Sequence, residues 1–181
     1  MIKVLLNLFL RAHTAYFLWE VIRHPDDPRF AGKAIPIRNI IIVSGLSMLF
    51  PFLHLVGRTR RSYPWGTDNL YLSVFWLDMA GNSLNLYDRY YYFDLIPHFH
   101  GTGALAAVLK SGFGLPTLSA MGLANMVHVA LEGQEYYTDV FFGTHNVRGV
   151  SDTVNDLLIG LSGTICYGLA SVLLRKRRRG K

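Results

Sequence analysis

The sequence predicts an all-α fold, a multipass bundle of five or six transmembrane helices. The chain has 181 residues, of which 51% are hydrophobic, and its mean hydropathy of +0.25 is high for a soluble domain of this length. A run of 18 residues from Leu157 to Leu174 carries no formal charge, which is about the length that crosses a bilayer. Basic clusters follow two of the uncharged runs, as they do at the cytoplasmic ends of membrane helices.

These features predict one integral membrane domain over residues 1–181. Residues 1–38 hold a first helix, which either crosses the membrane or lies in its interface, and a polar loop that Pro and Asp residues keep from being helical. Residues 39–174 form the core helix bundle, and residues 175–181 form a basic cytoplasmic tail.

The predicted segments follow one another with short polar connections. Residues 40–57 form the second segment, with a kink expected at Pro51, and residues 70–86 form the third. An aromatic turn with Tyr90 to Phe93 resembles an interfacial belt and leads to the fourth segment, residues 94–110. Residues 115–131 form the fifth segment, and the last segment follows a short polar loop. It carries small residues at three- and four-residue spacing, which lets another helix approach closely: Gly160, Gly163, Thr164 and Gly168.

The positive-inside rule sets the predicted orientation. It places the loop from Arg58 to Arg61 and the C-terminal tail in the cytoplasm, with four helices between them. The loop that contains Arg23, Arg29, Lys33 and Arg38 then falls outside, against the rule. The polar ends of the last four segments all meet at the outer face.

Polar residues at that face predict one pocket. Its members are expected to come from four helices: Asp78 and Asn82; Asp94 and His98; His128, Glu132 and Glu135; and Asp152 and Asp156. Carboxylates crowded in low dielectric must be protonated, paired or neutralised by a cation. A divalent metal ion, Mg, Mn or Zn, is therefore the expected cofactor. Its candidate ligands are Asp94, His98, Glu132, Glu135, Asp152 and Asp156, and the pocket is completed by Asp78, Asn82 and His128.

The expected function is to bind a divalent cation and a polar or phosphorylated lipid head group in the cell envelope. If the protein is a metal-dependent enzyme acting on lipid-linked phosphate, His98 or Glu132 is the catalytic residue that moves the proton. One alternative is a transporter that handles protons or cations. Another is a structural or accessory subunit, in which carboxylates cap helices or bond neighbouring Asn, Thr and Tyr side chains without any chemistry.

Several other classes are not expected. The basic residues flank apolar runs, which favours membrane lipids over nucleic acid as partners. The single cysteine, Cys166, excludes an intramolecular disulfide. The sequence has no serine-nucleophile motif with an evident base, no phosphate loop and no zinc-finger spacing. Nothing in it predicts an oligomeric state.

The order of the polar motifs resembles a known family. Asp94-x-x-x-His98-Phe99, Glu132-x-x-Glu135, Gly143-Thr144 and Asp152-Thr153-x-x-Asp156 followed by Gly163 are similar to motifs of the small VanZ-like membrane proteins, and most of all to the YjdF-type branch of bacterial inner-membrane proteins. The resemblance covers about residues 78–170. Glu135 stands where VanZ-like proteins tend to have Gln, and Asp156 stands where they tend to have Asn.

The resemblance implies a multipass protein of the bacterial inner membrane. VanZ-like proteins are associated with resistance to glycopeptide antibiotics of the teicoplanin type and act at the cell envelope. The resemblance marks the same six residues as the candidate ligand set and does not supply a reaction.

Overall fold

The computed structural model describes residues 1–30, 33, 35–57 and 62–179, with the backbone alone at 36, 37, 39, 40 and 174–179. These residues form helices, turns and loops and include no strand, so the all-α prediction is confirmed for them. The chain divides into two compact units, Met1–Tyr90 and Tyr91–Lys181. The prediction of one membrane domain over residues 1–181 stays a prediction.

Unit 1, Met1–Tyr90, contains two long helices and several short ones. Its elements in chain order are α1 (Ile2–Arg23), α2 (Ile35–Arg38), a π-helical segment (Asn39–Val43), α3 (Ser44–Ser47), α4 (Leu49–Val56), α5 (Trp65–Ser83) and α6 (Leu86–Arg89). Helix α1 ends just before Pro25, because a residue that precedes proline disfavours the helical conformation. Apolar side chains of α1, the π-helical segment and α5 meet in its core: Phe17, Val43, Met79 and Ala80.

Unit 2, Tyr91–Lys181, is built from three long helices. They are α7 (Leu95–Phe113), α8 (Thr117–Phe142) and α9 (Val150–Arg179). Pro97 lies in the first turn of α7, where the missing N–H has no helical partner to lose. Helices α7 and α8 end at Gly114 and Gly143, whose positive φ angles of 74° and 65° are favourable for glycine.

The second predicted segment is interrupted in the structure, but not at the expected residue. We expected a kink at Pro51, and the interruption lies at Met48, three residues earlier, between α3 and α4. Proline lacks an N–H, so the carbonyl of Ser47, four residues before Pro51, loses its helical donor. Arg11 Nη1 donates to that oxygen at 3.0 Å. The guanidinium of α1 therefore satisfies the group that the proline leaves without a partner.

Arg11 also forms a buried ion pair in unit 1. Its Nη2 lies 2.7 Å from Oδ2 of Asp68 on α5, whose side chain is fully buried. The same oxygen accepts hydrogen bonds from Tyr63 Oη at 2.6 Å and from Asn7 Nδ2 at 2.7 Å. Burial of the Tyr63 hydroxyl, together with the Asp68 carboxylate, raises the pKa of Tyr63 above its ordinary value. This network joins α1, α3, α5 and the segment before α5.

Three of the four cations that opposed the positive-inside rule, Arg29, Lys33 and Arg38, are paired with carboxylates. Arg29 bonds Glu20 and Asp27 at 2.8 Å each, Lys33 lies 3.1 Å from Asp88, and Arg38 lies 2.9 Å from Asp78. The hydrogen bonds from Arg29 lower the pKa of Asp27 to about 2. Arg58, Arg60 and Arg61 lie outside the described residues, as do the side chains of the basic tail, so the predicted orientation stays a prediction.

Among the described residues, one helix is long and apolar enough to cross a membrane by length and composition. It is α9 over Val150–Leu173, which has 24 residues and includes an 18-residue stretch with a mean hydropathy of 1.6. The remaining described helices do not reach that threshold. The multipass part of the predicted fold is not supported by this criterion.

Small residues hold α7 and α9 close together in unit 2, as the spacing of the glycines indicated. A Cβ atom built on Gly163 of α9 would collide with the backbone carbonyl of Phe99 in α7. A Cβ on Gly103 of α7 would lie 2.8 Å from the carbonyl oxygen of Gly163. A side chain at either position forces the two backbones apart.

We predict that Gly163→Ala destabilises the protein by about 1–3 kcal/mol, because the added methyl group meets backbone atoms that cannot rotate away. Gly133→Ala is the matched control. It lies in α8 with nothing within 4 Å of the new Cβ, and it should stabilise the helix by about 0.5–1 kcal/mol. The measurement is the midpoint of thermal unfolding of each purified variant, and equal midpoints for the two would contradict the packing described here.

Candidate functional site

Five of the predicted site residues come together inside unit 2. Helix α7 and the residue before it contribute His98 and Asp94, α8 contributes His128 and Glu132, and α9 contributes Asp156. We refer to these five side chains as the histidine–carboxylate cluster. It contains two groups whose potential ligand atoms lie within 4.8 Å of one another: His98, His128 and Glu132; and Asp94, His98 and Asp156.

The first group lies between α7 and α8. His98 Nδ1 is 2.8 Å from His128 Nε2, and the two rings stack with their centroids 5.0 Å apart. Glu132 Oε1 lies 3.3 Å from His128 Nε2 and 3.6 Å from His98 Nδ1. His128 and Glu132 are one turn apart on α8, so both side chains point to the same place.

The second group lies between α7 and α9 and uses the other nitrogen of His98. Asp94 Oδ1 is 3.3 Å from His98 Nε2, and Asp156 Oδ1 is 3.8 Å from the same atom. Asp94 precedes α7 but makes no capping hydrogen bond with its side chain. The Asp94 side chain therefore contacts His98 and does not cap the helix, which is the role that carboxylates would have in a purely structural subunit.

The cluster is buried unusually deeply for charged groups. Glu132 and Asp156 are 6% and 4% exposed, and His128 is 5% exposed. Within the described part of the chain, histidines are the only basic partners within ion-pair distance of these two carboxylates. A buried carboxylate is costly unless it is paired or bound to a cation.

Thr102 determines which nitrogen of His128 is available. Its hydroxyl donates to the carbonyl oxygen of His98, one turn earlier, at 2.8 Å. Because that bond uses the only hydroxyl proton, Thr102 Oγ1 must accept from His128 Nδ1, which lies 3.2 Å away. A neutral His128 then carries its lone pair on Nε2, the atom that faces His98 and Glu132.

Glycine makes room for this arrangement. A Cβ on Gly160 of α9 would overlap the His128 ring and would lie 2.9 Å from Thr102 Oγ1. Nearer the other end of the helices, Asn125 of α8 donates to Thr164 of α9 at 3.1 Å. Small and polar side chains therefore line the interior of unit 2.

The loop before α9 is organised by Asp139, near the end of α8. The Asp139 carboxylate accepts hydrogen bonds from the Thr144 hydroxyl at 2.6 Å, from the Asn146 backbone N–H at 2.9 Å and from the Val147 backbone N–H at 2.8 Å. Burial alone would raise the pKa of Asp139, but these hydrogen bonds outweigh burial and lower it. The loop sets where α9 begins, and so where Asp156 enters the cluster.

The other predicted site residues lie outside both groups. Glu135 is half-buried on α8, three residues after Glu132. Asp152 Oδ2 accepts a hydrogen bond from the backbone N–H of Arg148 at 3.1 Å, at the start of α9. Asp78 and Asn82 belong to unit 1. There the Asp78 carboxylate accepts hydrogen bonds from Asn82, Arg38 and Tyr87.

Sequence reasoning missed Thr102 and the role of Asp139. Thr102 follows His98 by one helical turn, so the spacing alone could have pointed to it. Asp139 lies 11 residues after His128, at helical spacing on the same side of α8, but its partners lie in a loop whose path the sequence does not indicate.

The donor set suits a divalent metal ion. Two imidazoles and a carboxylate are ligands that zinc and iron take at catalytic sites, where a further position stays open to solvent or substrate. Carboxylates with one imidazole suit a harder ion such as manganese. The hydrogen bond from His128 to Thr102 is the type of outer contact that orients a metal-binding histidine.

Comparisons with known proteins give one relative and no family. An uncharacterised protein of Thermotoga maritima is 30% identical over 116 residues, which cover 58% of this chain and 59% of that protein. The chain thus matches less than two thirds of the relative's length. No family model matches the chain, and no solved structure matches it. The resemblance to VanZ-like proteins stays a prediction.

We predict that Asp139→Asn loosens the loop of residues 143–149, because an amide cannot accept at both oxygen positions. Backbone N–H groups of Asn146 and Val147 should exchange with deuterium at least about tenfold faster, as the loss of charge-assisted hydrogen bonds implies. Since the pKa of Asp139 is lowered, wild-type protection should persist above the ordinary carboxyl pKa and disappear as the pH falls through the lowered value. Asp88→Asn, which removes a carboxylate paired with Lys33 in unit 1, is the control, and unchanged exchange in Asp139→Asn would refute the assignment.

Proposed function

We propose that the chain is a multipass protein of the cell membrane whose histidine–carboxylate cluster binds a divalent metal ion and, with it, a polar or phosphorylated lipid head group. The observation that carries the proposal is the inverted polarity of unit 2. Its interior holds titratable groups, and its outer surface is apolar. Such an arrangement is expected where lipid, and not water, surrounds the helices.

Helix α8 illustrates the inversion. Its buried residues recur every four positions and are small or polar: Ala120, Ala124, His128 and Glu132. Its outward positions carry large apolar side chains, and Leu118 and Met126 are 81% and 70% exposed. A soluble protein rarely leaves so much contiguous apolar surface in water. Helix α9 has the same character, with Leu158 and Leu169 exposed and Asp156 buried.

Polar residues that face the interior also explain why α7 and α8 have a mean hydropathy below that of a typical membrane-spanning helix. His98, His100 and Lys110 lower the mean hydropathy of α7, although its 19 residues extend over about 28 Å, close to the thickness of a bilayer core. His100 Nδ1 is 2.8 Å from the Tyr167 hydroxyl, and Lys110 Nζ donates to Ser171 at 2.6 Å, so both have partners inside unit 2. Paired polar groups of this kind are tolerated in membrane helices.

Aromatic residues support a head-group site at the cluster end of unit 2. Tyr91 and Tyr92, just before Asp94, are 70% and 72% exposed, as expected for side chains at head-group level. The Arg148 guanidinium lies over the Tyr91 ring at 5.6 Å. A guanidinium at this end of unit 2 is well suited to bind a phosphate group. By the positive-inside rule, this end faces the outside of the cell and the C-terminal tail is cytoplasmic.

In the enzymatic form of the proposal, a bound ion supplies Lewis acidity toward a phosphoryl oxygen. Glu132 would move the proton, because its contacts with the histidines use one carboxylate oxygen, whereas His98 belongs to both ligand groups. A second candidate function is proton handling, which the hydrogen-bonded chain from His98 through His128 to Thr102 favours.

We predict that the protein, purified in detergent without a polyhistidine tag, holds at least about one equivalent of Mn or Zn by elemental analysis. His98→Gln should lose the metal, because His98 belongs to both ligand groups. Asp152→Asn is the matched control and should keep it, since Asp152 lies outside both groups.

Thermal unfolding of the two variants would establish that both are folded. Wild-type protein without metal, even after incubation with Mg, Mn and Zn, would contradict the proposal and favour proton handling or a purely structural cluster.

A further inference from the structure

We infer that the histidine–carboxylate cluster holds two cations, with His98 as their shared ligand. A zinc-class ion is bound by His98 Nδ1, His128 Nε2 and Glu132. A harder, manganese-class ion is bound by His98 Nε2, Asp94 and Asp156. This inference rests on the proposed function and adds to it the number, the class and the bridging ligand of the ions.

The position of His98 is the first argument. The two nitrogens of an imidazole ring point in different directions, so one histidine can serve two ligand groups only through different atoms. Nδ1 of His98 faces His128 and Glu132, at 2.8 and 3.6 Å. Nε2 faces Asp94 and Asp156, at 3.3 and 3.8 Å. Each nitrogen thus has its own set of partners.

The spacing of the first group fits a small tetrahedral ion. With zinc bonds of about 2.0–2.1 Å, tetrahedral ligand atoms lie about 3.3–3.4 Å apart. The three distances in the group are 2.8, 3.3 and 3.6 Å. The ligand atoms need to move by only a few tenths of an ångström, and the hydrogen bond to Thr102 leaves His128 Nε2 free to bind.

The second group is more open and richer in oxygen. Its carboxylate oxygens lie 3.3 and 3.8 Å from His98 Nε2, whereas the shortest distance in the first group is 2.8 Å. Two carboxylates suit a hard ion that takes several oxygen ligands, and the imidazole favours manganese over magnesium or calcium. Asp94 and His98 are partly exposed, which leaves room for water ligands.

The charge of the cluster is the last argument for two ions. A neutral His98 has one ring proton, and binding two ions displaces that proton to solvent and leaves an imidazolate. Three buried or half-buried carboxylates and one imidazolate then carry as much negative charge as two divalent ions carry positive. Two divalent ions therefore balance the charge of the cluster without a proton on any of its carboxylates.

The test is a titration of full-length, chelator-treated protein in detergent with Zn²⁺ and Mn²⁺, each alone and both together, read by elemental analysis and by the Mn²⁺ electron paramagnetic resonance signal. We expect about two equivalents of metal in the wild type. Glu132→Gln should weaken Zn²⁺ binding at least about tenfold and keep Mn²⁺, and Asp156→Asn should do the reverse. Asp152→Asn is the control for a carboxylate outside the cluster.

One equivalent in the wild type, lost equally in Glu132→Gln and Asp156→Asn, would overturn the two-ion arrangement and leave the proposed function intact. Absence of metal from the wild type would overturn both. The wild-type stoichiometry decides the question even if a variant fails to fold.

Discussion

A polar group buried among apolar side chains is stable only when it has a partner, and this requirement organises both units of the chain. In unit 1, Arg11 satisfies the carbonyl that Pro51 leaves free and neutralises the fully buried Asp68. Removing one member of such a buried pair leaves an uncompensated charge, which typically lowers the free energy of unfolding by several kcal/mol. In unit 2, the histidine–carboxylate cluster meets the same requirement through ring nitrogens and carboxylates, and a bound cation would complete it.

Close packing gives the cluster its geometry. Gly103 and Gly163 bring the backbones of α7 and α9 together, and Gly160 admits the His128 ring. On α8, the small side chains of Ala120 and Ala124 are almost completely buried and so also fit close packing of the helices. Side chains of this size leave little freedom for the helices to shift, so His98 is held between two sets of partners. A site built on rigid helices can keep ligand atoms within a few tenths of an ångström of a metal-binding arrangement.

Local spacing made part of the site predictable. His98 follows Asp94, and Glu132 follows His128, by one helical turn, and both pairs are in contact. Spacing within one helix could not show which of the polar residues on one side of α8 reach the interior of unit 2. Glu135 and Asp139 follow His128 and Glu132 at helical spacing on α8, yet the Asp139 carboxylate accepts a hydrogen bond from the loop residue Asn146 and not from the cluster. The pair of Arg11 and Asp68 was not predictable, because 57 residues separate them and no local pattern links them. The donor that satisfies the Ser47 carbonyl beside the break in the second segment is the same distant arginine.

The account depends on lipid covering the apolar faces of α8 and α9, and single-cysteine labelling tests that directly. Cys166, the single cysteine of the chain, is exposed on α9. In a Cys166→Ala background, Met126→Cys probes the outward face of α8, and His145→Cys probes the loop between the helices. With a water-soluble maleimide on membranes opened by freeze–thaw, we expect labelling at position 145. We expect none at position 126, or at Cys166 of the wild-type chain, until detergent denatures the protein. Labelling at 126 as fast as at 145 would mean that water covers α8, and would contradict the account.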